Sequence, residues 1–251
     1  MEAVIKVDKL KMGYGDRVIM ECLDFEIKQG EIFIILGGSG CGKSTLLKHM
    51  IGLYKPMAGD ITIKGKNIVK ADAEKKRDIM KEFGVMYQSG ALFGSMTLEE
   101  NITMILEEVT DMSPQERHER AMEKLALVEL DEFNTFYPAE ISGGMKKRAA
   151  IARAMALNPD ILFFDEPSAG LDPISAANLD ALILKLREEF KTTIVIVTHE
   201  LESIFSIADR IIMLDKETKR IIEDGDPRKL KNESKNEWVR DFLNRRESVQ
   251  T

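Results

Sequence analysis

Gly37-Gly38-Ser39-Gly40-Cys41-Gly42-Lys43-Ser44-Thr45 satisfies the phosphate-binding pattern Gly-x4-Gly-Lys-Ser, and its neighbours supply the context that pattern needs. Residues 31–36 before it form an apolar run with β-branched and aromatic members, which predicts a buried strand. Residues 44–52 after it predict a helix with Leu46, Leu47, Met50 and Ile51 on one face and Gly52 as its stop. A strand feeding a glycine loop that opens a helix aims backbone N–H groups and the positive end of a helix dipole at one spot, which suits a polyphosphate. The glycines let the backbone approach the phosphate oxygens, Lys43 supplies charge for the β and γ phosphates, and Ser44 offers its hydroxyl to Mg²⁺. Kinase, GTPase and ATPase chemistry all remain open on this motif alone. Cys41 lies at the helix N-terminus, where a thiolate is stabilised, so bound ATP is expected to shield it from alkylation.

Composition narrows the class. A chain of 251 residues can bury a sizeable core and fits one α/β unit with an insertion. A net charge of −7 argues against a general nucleic-acid binder. No run of 18 or more apolar residues occurs, and the first residues lack a signal-peptide pattern, so a soluble, cytosolic protein is expected. The two cysteines, Cys22 and Cys41, form neither a disulfide framework nor a metal site.

Before the loop, residues 3–8 and 17–28 predict strands, joined through the turn Gly13-Tyr14-Gly15-Asp16. Tyr14 could stack on a base or simply fill space. Residues 59–65 predict a further strand, 72–82 are a charged stretch, and 83–87 predict a strand that Gln88 ends. Helices are expected over 97–110 and 113–128, with Asn101, Glu107 and Glu108 on solvated faces and His118 at the surface without a metal-ligating partner. Ser142-Gly143-Gly144 opens a helix expected to reach residue 157, a second potential anion site.

Residues 161–167 predict a buried strand ending in Asp165 and Glu166. Asp165 can hold the Mg²⁺ shell, and Glu166, one residue further, can polarise an attacking water. A turn containing Asp172 leads into a helix over 174–190, and the β-branched strand 192–198 ends at His199. Gln88, Asp165 and His199 thus all stand at carboxyl ends of predicted strands, where α/β proteins gather ligand contacts. His49 is read as structural. Strands over 210–215 and 219–223 and an amphipathic helix over 236–246 complete the chain, with Trp238, Val239, Phe242 and Leu243 on the apolar face of that helix.

In this order the phosphate loop, Gln88, Ser142-Gly143-Gly144, Asp165-Glu166, the segment 168–172 and His199 resemble the nucleotide-binding subunit of ATP-binding-cassette transporters across nearly the whole chain. The resemblance implies an α/β P-loop NTPase fold with a RecA-like parallel-sheet core, an N-terminal antiparallel β-subdomain, a helical subdomain inserted at about 89–158 and a C-terminal helical tail at about 226–251, all in one domain. It implies ATP and Mg²⁺ as cofactors, with Ser44, Gln88 and Asp165 at the metal. Tyr14 would stack on adenine, Lys43 and residues 37–45 would hold the phosphates, Glu166 would direct the water, and His199 would sense the γ-phosphate. In such proteins a second copy packs head to tail, so Ser142, Gly143 and Gly144 would grip the partner's nucleotide and Asp172 would shape the interface.

One departure is informative: Met145 stands where most of the family has glutamine. Ser-Gly-Gly-Met followed by basic residues, with Gln-Ser-Gly-Ala-Leu-Phe at 88–93 and Pro-Ser-Ala-Gly-Leu-Asp-Pro at 167–173, resembles the Mce-type phospholipid transporters. That branch implies a cytoplasmic-face location at a bacterial inner membrane, an integral-membrane permease, an Mce-type lipid-binding protein and, in some members, a small regulatory subunit. A transporter ATPase for another substrate and a soluble cassette protein of the cofactor-assembly type are the alternatives.

Overall fold

The computed structural model describes residues 2–245; the expected helix end at Arg246 and the rest of the tail to 251 lie outside the described residues. The described residues divide into two compact units, one made of the first segment up to residue 80 together with the segment from residue 193 onward, and the other of residues 81–192.

The first unit opens on a long hairpin, β1 (Ala3–Tyr14) and β2 (Arg17–Lys28). Sequence alternation suggests that the first strand stops at residue 8, yet it continues to Tyr14. The reason is a bulge: Lys9 has φ +44°, and the register passes from Val7 opposite Phe25 to Leu10 opposite Leu23. An extra residue on one strand breaks period-2 alternation without breaking the ladder. Next comes β3 (Ile32–Gly37), buried at every position. It leads into α1 (Lys43–Met50), then β4 (Ala58–Ile63), β5 (Lys66–Asn67) and α2 (Ala73–Met80). Strands β2-β1-β4-β5 make one antiparallel sheet.

The second unit begins with β6 (Phe83–Met86), followed by α3 (Leu98–Val109) and α4 (Pro114–Leu127), each started by a full capping box at Thr97 and Ser113. Asn101 is not on a solvated face. It is 1% exposed and bonds the backbone of Phe93 at both N–H and C=O and the carbonyls of Met96 and Thr97, so its amide substitutes for missing turn hydrogen bonds. His118 is exposed as expected, but its Nδ1 lies 2.7 Å from a Glu99 carboxylate oxygen, a partner from α3. Then follow α5 (Gly143–Ala154), which ends before residue 157, β7 (Ile161–Asp165), buried throughout, and α6 (Pro173–Phe190). β6 and β7 pair in parallel, with Met86 opposite Phe164.

The chain then returns to the first unit with β8 (Thr193–Val197), α7 (Leu201–Ile207), β9 (Arg210–Asp215), β10 (Arg220–Gly225), α8 (Pro227–Glu233) and α9 (Glu237–Leu243). β3 pairs in parallel with both β8 and β9, Ile34 lying opposite Ile196 and Ile211. Continuous Val/Ile-rich runs are what a parallel sheet covered on both faces requires. β10 pairs antiparallel with β9 at the edge. On α9, Val239 and Leu243 are buried while Trp238 and Phe242 are half-buried, their rings 5.7 Å apart.

Candidate functional site

The glycine loop leaves the buried carboxyl end of β3 and winds into α1 through three glycines at positive φ, Gly37, Gly40 and Gly42. Gly37 and Gly42 admit no side chain. A Cβ on Gly37 (φ +150°) would stand 2.6 Å from the Leu214 carbonyl oxygen, and one on Gly42 (φ +101°) 2.6 Å from a methyl of Ile19. Gly42 also N-caps α1 without any side-chain hydrogen bond, and the first turn holds no acidic residue. The first N–H groups of this helix are therefore left for an anion rather than for a serine or aspartate cap.

Lys43 folds back so that its Nζ donates to the carbonyls of Gly37 (2.9 Å) and Gly38 (3.3 Å), which holds the ammonium over the loop. Cys41 departs from the expectation of a reactive thiolate. It is buried, and that burial raises the thiol pKa above its ordinary value, outweighing the opposing charge of Lys43.

Tyr14, the last residue of β1, is 50% exposed; its hydroxyl shares a 3.1 Å hydrogen bond with the Thr45 hydroxyl. Its ring meets that of Tyr54 edge-on at 5.7 Å. Tyr54 itself gives no sequence signal, being one aromatic in a turn. His49 is buried, and its Nδ1–H donates to the Thr45 carbonyl at 2.8 Å. Burial lowers its pKa, which keeps it neutral and agrees with a structural role. His199 follows β8 and is exposed, with Nε2 3.7 Å from the Glu200 carboxylate. Because Ile35 lies opposite Val197, His199 and the glycine loop emerge at the same end of this parallel sheet.

In the second unit Asp165 closes β7, and Glu166 follows with φ +51°, both buried. The carbonyl of Glu166 accepts from the Ala169 N–H at 3.2 Å and from Lys147 Nζ at 3.4 Å. Gln88 leaves the adjacent strand end and is exposed, while its carbonyl accepts from the same Lys147 ammonium. Burial lowers the Lys147 pKa, and the negative charges of Glu166 and Asp165 oppose that effect. Ser142 N-caps α5, its hydroxyl accepting from Met145 N–H at 3.3 Å. Asp172 N-caps α6, with one carboxylate oxygen accepting from the N–H groups of Ile174 and Ser175, both at 3.0 Å. Hydrogen bonds from Ser175 and the backbone hold its carboxyl below the ordinary aspartate range. A Cβ on Gly144 would lie 3.8 Å from Ser175, so the starts of α5 and α6 stand side by side. A cavity of about 480 Å³ beside them includes Ser142, Gly144, Met145 and Ser175 in its lining.

The structure thus gathers residues 37–45, Tyr14 and His199 in one unit, and Gln88, Ser142, Gly143, Gly144, Asp165, Glu166 and Asp172 in the other. Lys147 and Arg153, which reach the loop after β6, carry no motif of their own. On a helix that also carries Lys146 and Arg148, nothing in the sequence singles these two out from their basic neighbours.

Residues 20–169 match the family model described as "ABC transporter". The "Probable ribonucleotide transport ATP-binding protein mkl" of Mycobacterium tuberculosis is 42% identical over 98% of this chain and 68% of that protein. The "Intermembrane phospholipid transport system ATP-binding protein MlaF" of Haemophilus influenzae is 39% identical over 82% of this chain and 78% of that protein. Among solved structures, the dimeric post-hydrolysis state of the ATP-binding cassette MJ0796 bound to ADP and Pi superposes with a TM-score of 0.79 at 31% identity, over 88% of this chain and 98% of that one. The family model, the identity to these relatives and the shared fold agree with the glycine loop and acid pair described above, and the chain belongs to the ABC transporter family as one of its ATP-binding ATPases.

Proposed function

We propose that this ATPase powers phospholipid movement between membranes, as two copies beneath an integral-membrane permease on the cytoplasmic face of a bacterial inner membrane. One ATPase domain spans the chain in this reading, with its helical part at about 89–158 and its tail at about 226–251. The observation that carries the chemistry is the acid pair: a buried strand ends in Asp165 and then sets Glu166 in a left-handed backbone conformation. Sparsely populated conformations of this kind cluster at active sites.

In this mechanism residues 37–45 bind the phosphates through backbone N–H groups, Lys43 swings from its carbonyls to the β and γ phosphates, and Tyr14 stacks on the base. The Ser44 hydroxyl, the Gln88 side-chain oxygen and the Asp165 carboxylate are hard oxygen donors of the kind that would hold Mg²⁺, which would supply positive charge against the phosphates. Glu166 orients the water for in-line attack, and His199 reports the γ-phosphate. Ser142, Gly143 and Gly144 reach the nucleotide of the second copy, beside Asp172. The dimeric MJ0796 cassette with bound ADP and Pi supports a working unit of two copies.

Phospholipid as cargo is supported by the MlaF relative and by Met145 in the signature; the mkl relative supports a ribonucleotide instead. Permease docking is supported by exposed Phe93, Phe136 and Tyr137 around the start of α3, where Phe93 N–H bonds Asn101 and Leu98 N–H bonds the Phe136 carbonyl. No helix among the described residues is long and apolar enough to cross a membrane. An Mce-type lipid-binding protein and a small regulatory subunit complete the proposed complex.

The test is to tag Glu166→Gln protein, extract it in mild detergent with ATP, and identify what co-purifies by mass spectrometry. Permease, Mce protein and phospholipid together support the lipid reading. A permease carrying nucleotide replaces the cargo, and recovery without any membrane partner removes the transporter reading.

A further inference from the structure

Lys147 is only 8% exposed, and its ammonium leaves its own helix to meet two backbone carbonyls. Nζ donates to the carbonyl of Gln88 and, at 3.4 Å, to that of Glu166. An ammonium brings three donors and no acceptor, so a buried one is tolerated only where acceptors or carboxylates replace water. Here the acceptors come from the ends of two neighbouring strands. Met86 lies opposite Phe164, so the chain past each strand leaves the sheet at the same edge, and one cation spans both exits.

Two further contacts make the link specific. Arg153, lower on the same helix, donates to the carbonyls of Gly90 and Ala91, the turn that follows Gln88. The Glu166 carbonyl takes a second hydrogen bond from Ala169 N–H, so the left-handed peptide is held from both sides. Helix α5 begins at Ser142, and its first turns therefore carry both the Ser-Gly-Gly segment and the cation that binds Gln88 and Glu166. A core filler would need no charge at this place, and methionine would serve equally well.

We infer that Lys147 is a positioning residue for ATP hydrolysis, holding the Gln88 and Glu166 backbones in one register and tying both to the helix that starts with Ser142-Gly143-Gly144. A shift of α5 on engagement of that segment is then passed to the water-directing acid and to the Gln88 loop together. The assignment rests on the reading of Gln88 and Glu166 as hydrolytic residues, which Glu166→Gln tests without involving Lys147.

The experiment compares wild type, Lys147→Met and Lys147→Arg as full chains, measuring steady-state ATPase kinetics and thermal melting. Methionine keeps the volume and removes the ammonium with both of its hydrogen bonds; arginine keeps a cation with donors. Lys147→Met is expected to lower kcat roughly tenfold or more at unchanged melting, with KM for ATP within about twofold, because misplacement rather than lost binding is the defect. Lys147→Arg is expected to restore most of kcat. Lys147→Met turning over at the wild-type rate would overturn the proposal, as would equal losses in both variants. If Lys147→Met melts below the assay temperature, Lys147→Gln replaces it. A kcat loss in that variant relieved by arginine supports the proposal, and a loss that follows only its folded fraction overturns it.

Discussion

Glu166 is held at φ +51° although it is not a glycine, a conformation that costs roughly 1–2 kcal/mol and is offset here by two hydrogen bonds to its carbonyl. Glutamine fits the same backbone, so a Glu166→Gln protein is expected to melt like wild type. Cys41 shows how burial overrides a local rule: the helix N-terminus favours a thiolate, but the thiol is 1% exposed. Alkylation in native buffer is therefore expected to label exposed Cys22 and to spare Cys41 with or without ATP, as peptide mapping would read. Rapid ATP-sensitive labelling of Cys41 would contradict the burial argument. Asn101 is the residue that sequence pattern misjudged, because an amide bonding backbone inside a protein looks like an amide facing water. Asn101→Ala strands buried N–H and C=O groups and is expected to cost about 2 kcal/mol by urea unfolding.

Elements were legible where apolar residues kept one period. β3, β7 and β8 announced themselves as apolar runs, α3 by its helical period, and α4 by its period and the capping box at Ser113. α2 buries only Ile79, so no apolar stripe marks it, and the charged stretch gave no helix signal. α7 spans seven residues, about two turns, too few for a helical period to stand out. The α3–α4 pair carries a pH signature. The Glu99 hydrogen bond, then its charge, raises the His118 pKa, so the native state binds the proton more tightly than the unfolded chain. That contribution is complete below the unfolded histidine value of about 6.5 and is lost as pH rises through the raised native value. An NMR titration of His118 is expected to give a midpoint above about 6.5, and Glu99→Gln to bring it back down. An unmoved midpoint in that variant would remove Glu99 as the cause.

At the scale of the whole molecule, the sequence order of short motifs carried the family, whereas the cargo is written in no residue that touches it. The phosphate loop and the acid pair were readable because each is a contiguous string bounded by a strand. Lys147 was not, since its role depends on two strand ends distant in the chain and brought together only by folding. Lys43 presents its charge to the loop carbonyls, so Lys43→Ala is expected to lose ATP binding, not merely turnover, in equilibrium dialysis. Glu166 divides those two steps, and a paired measurement tests it most directly: ATP affinity and single-turnover hydrolysis of wild type and Glu166→Gln under identical conditions. The account predicts affinity unchanged within about twofold and hydrolysis slowed by about 10² or more, the share a positioned base supplies. Hydrolysis at the wild-type rate with ATP fully bound would contradict it.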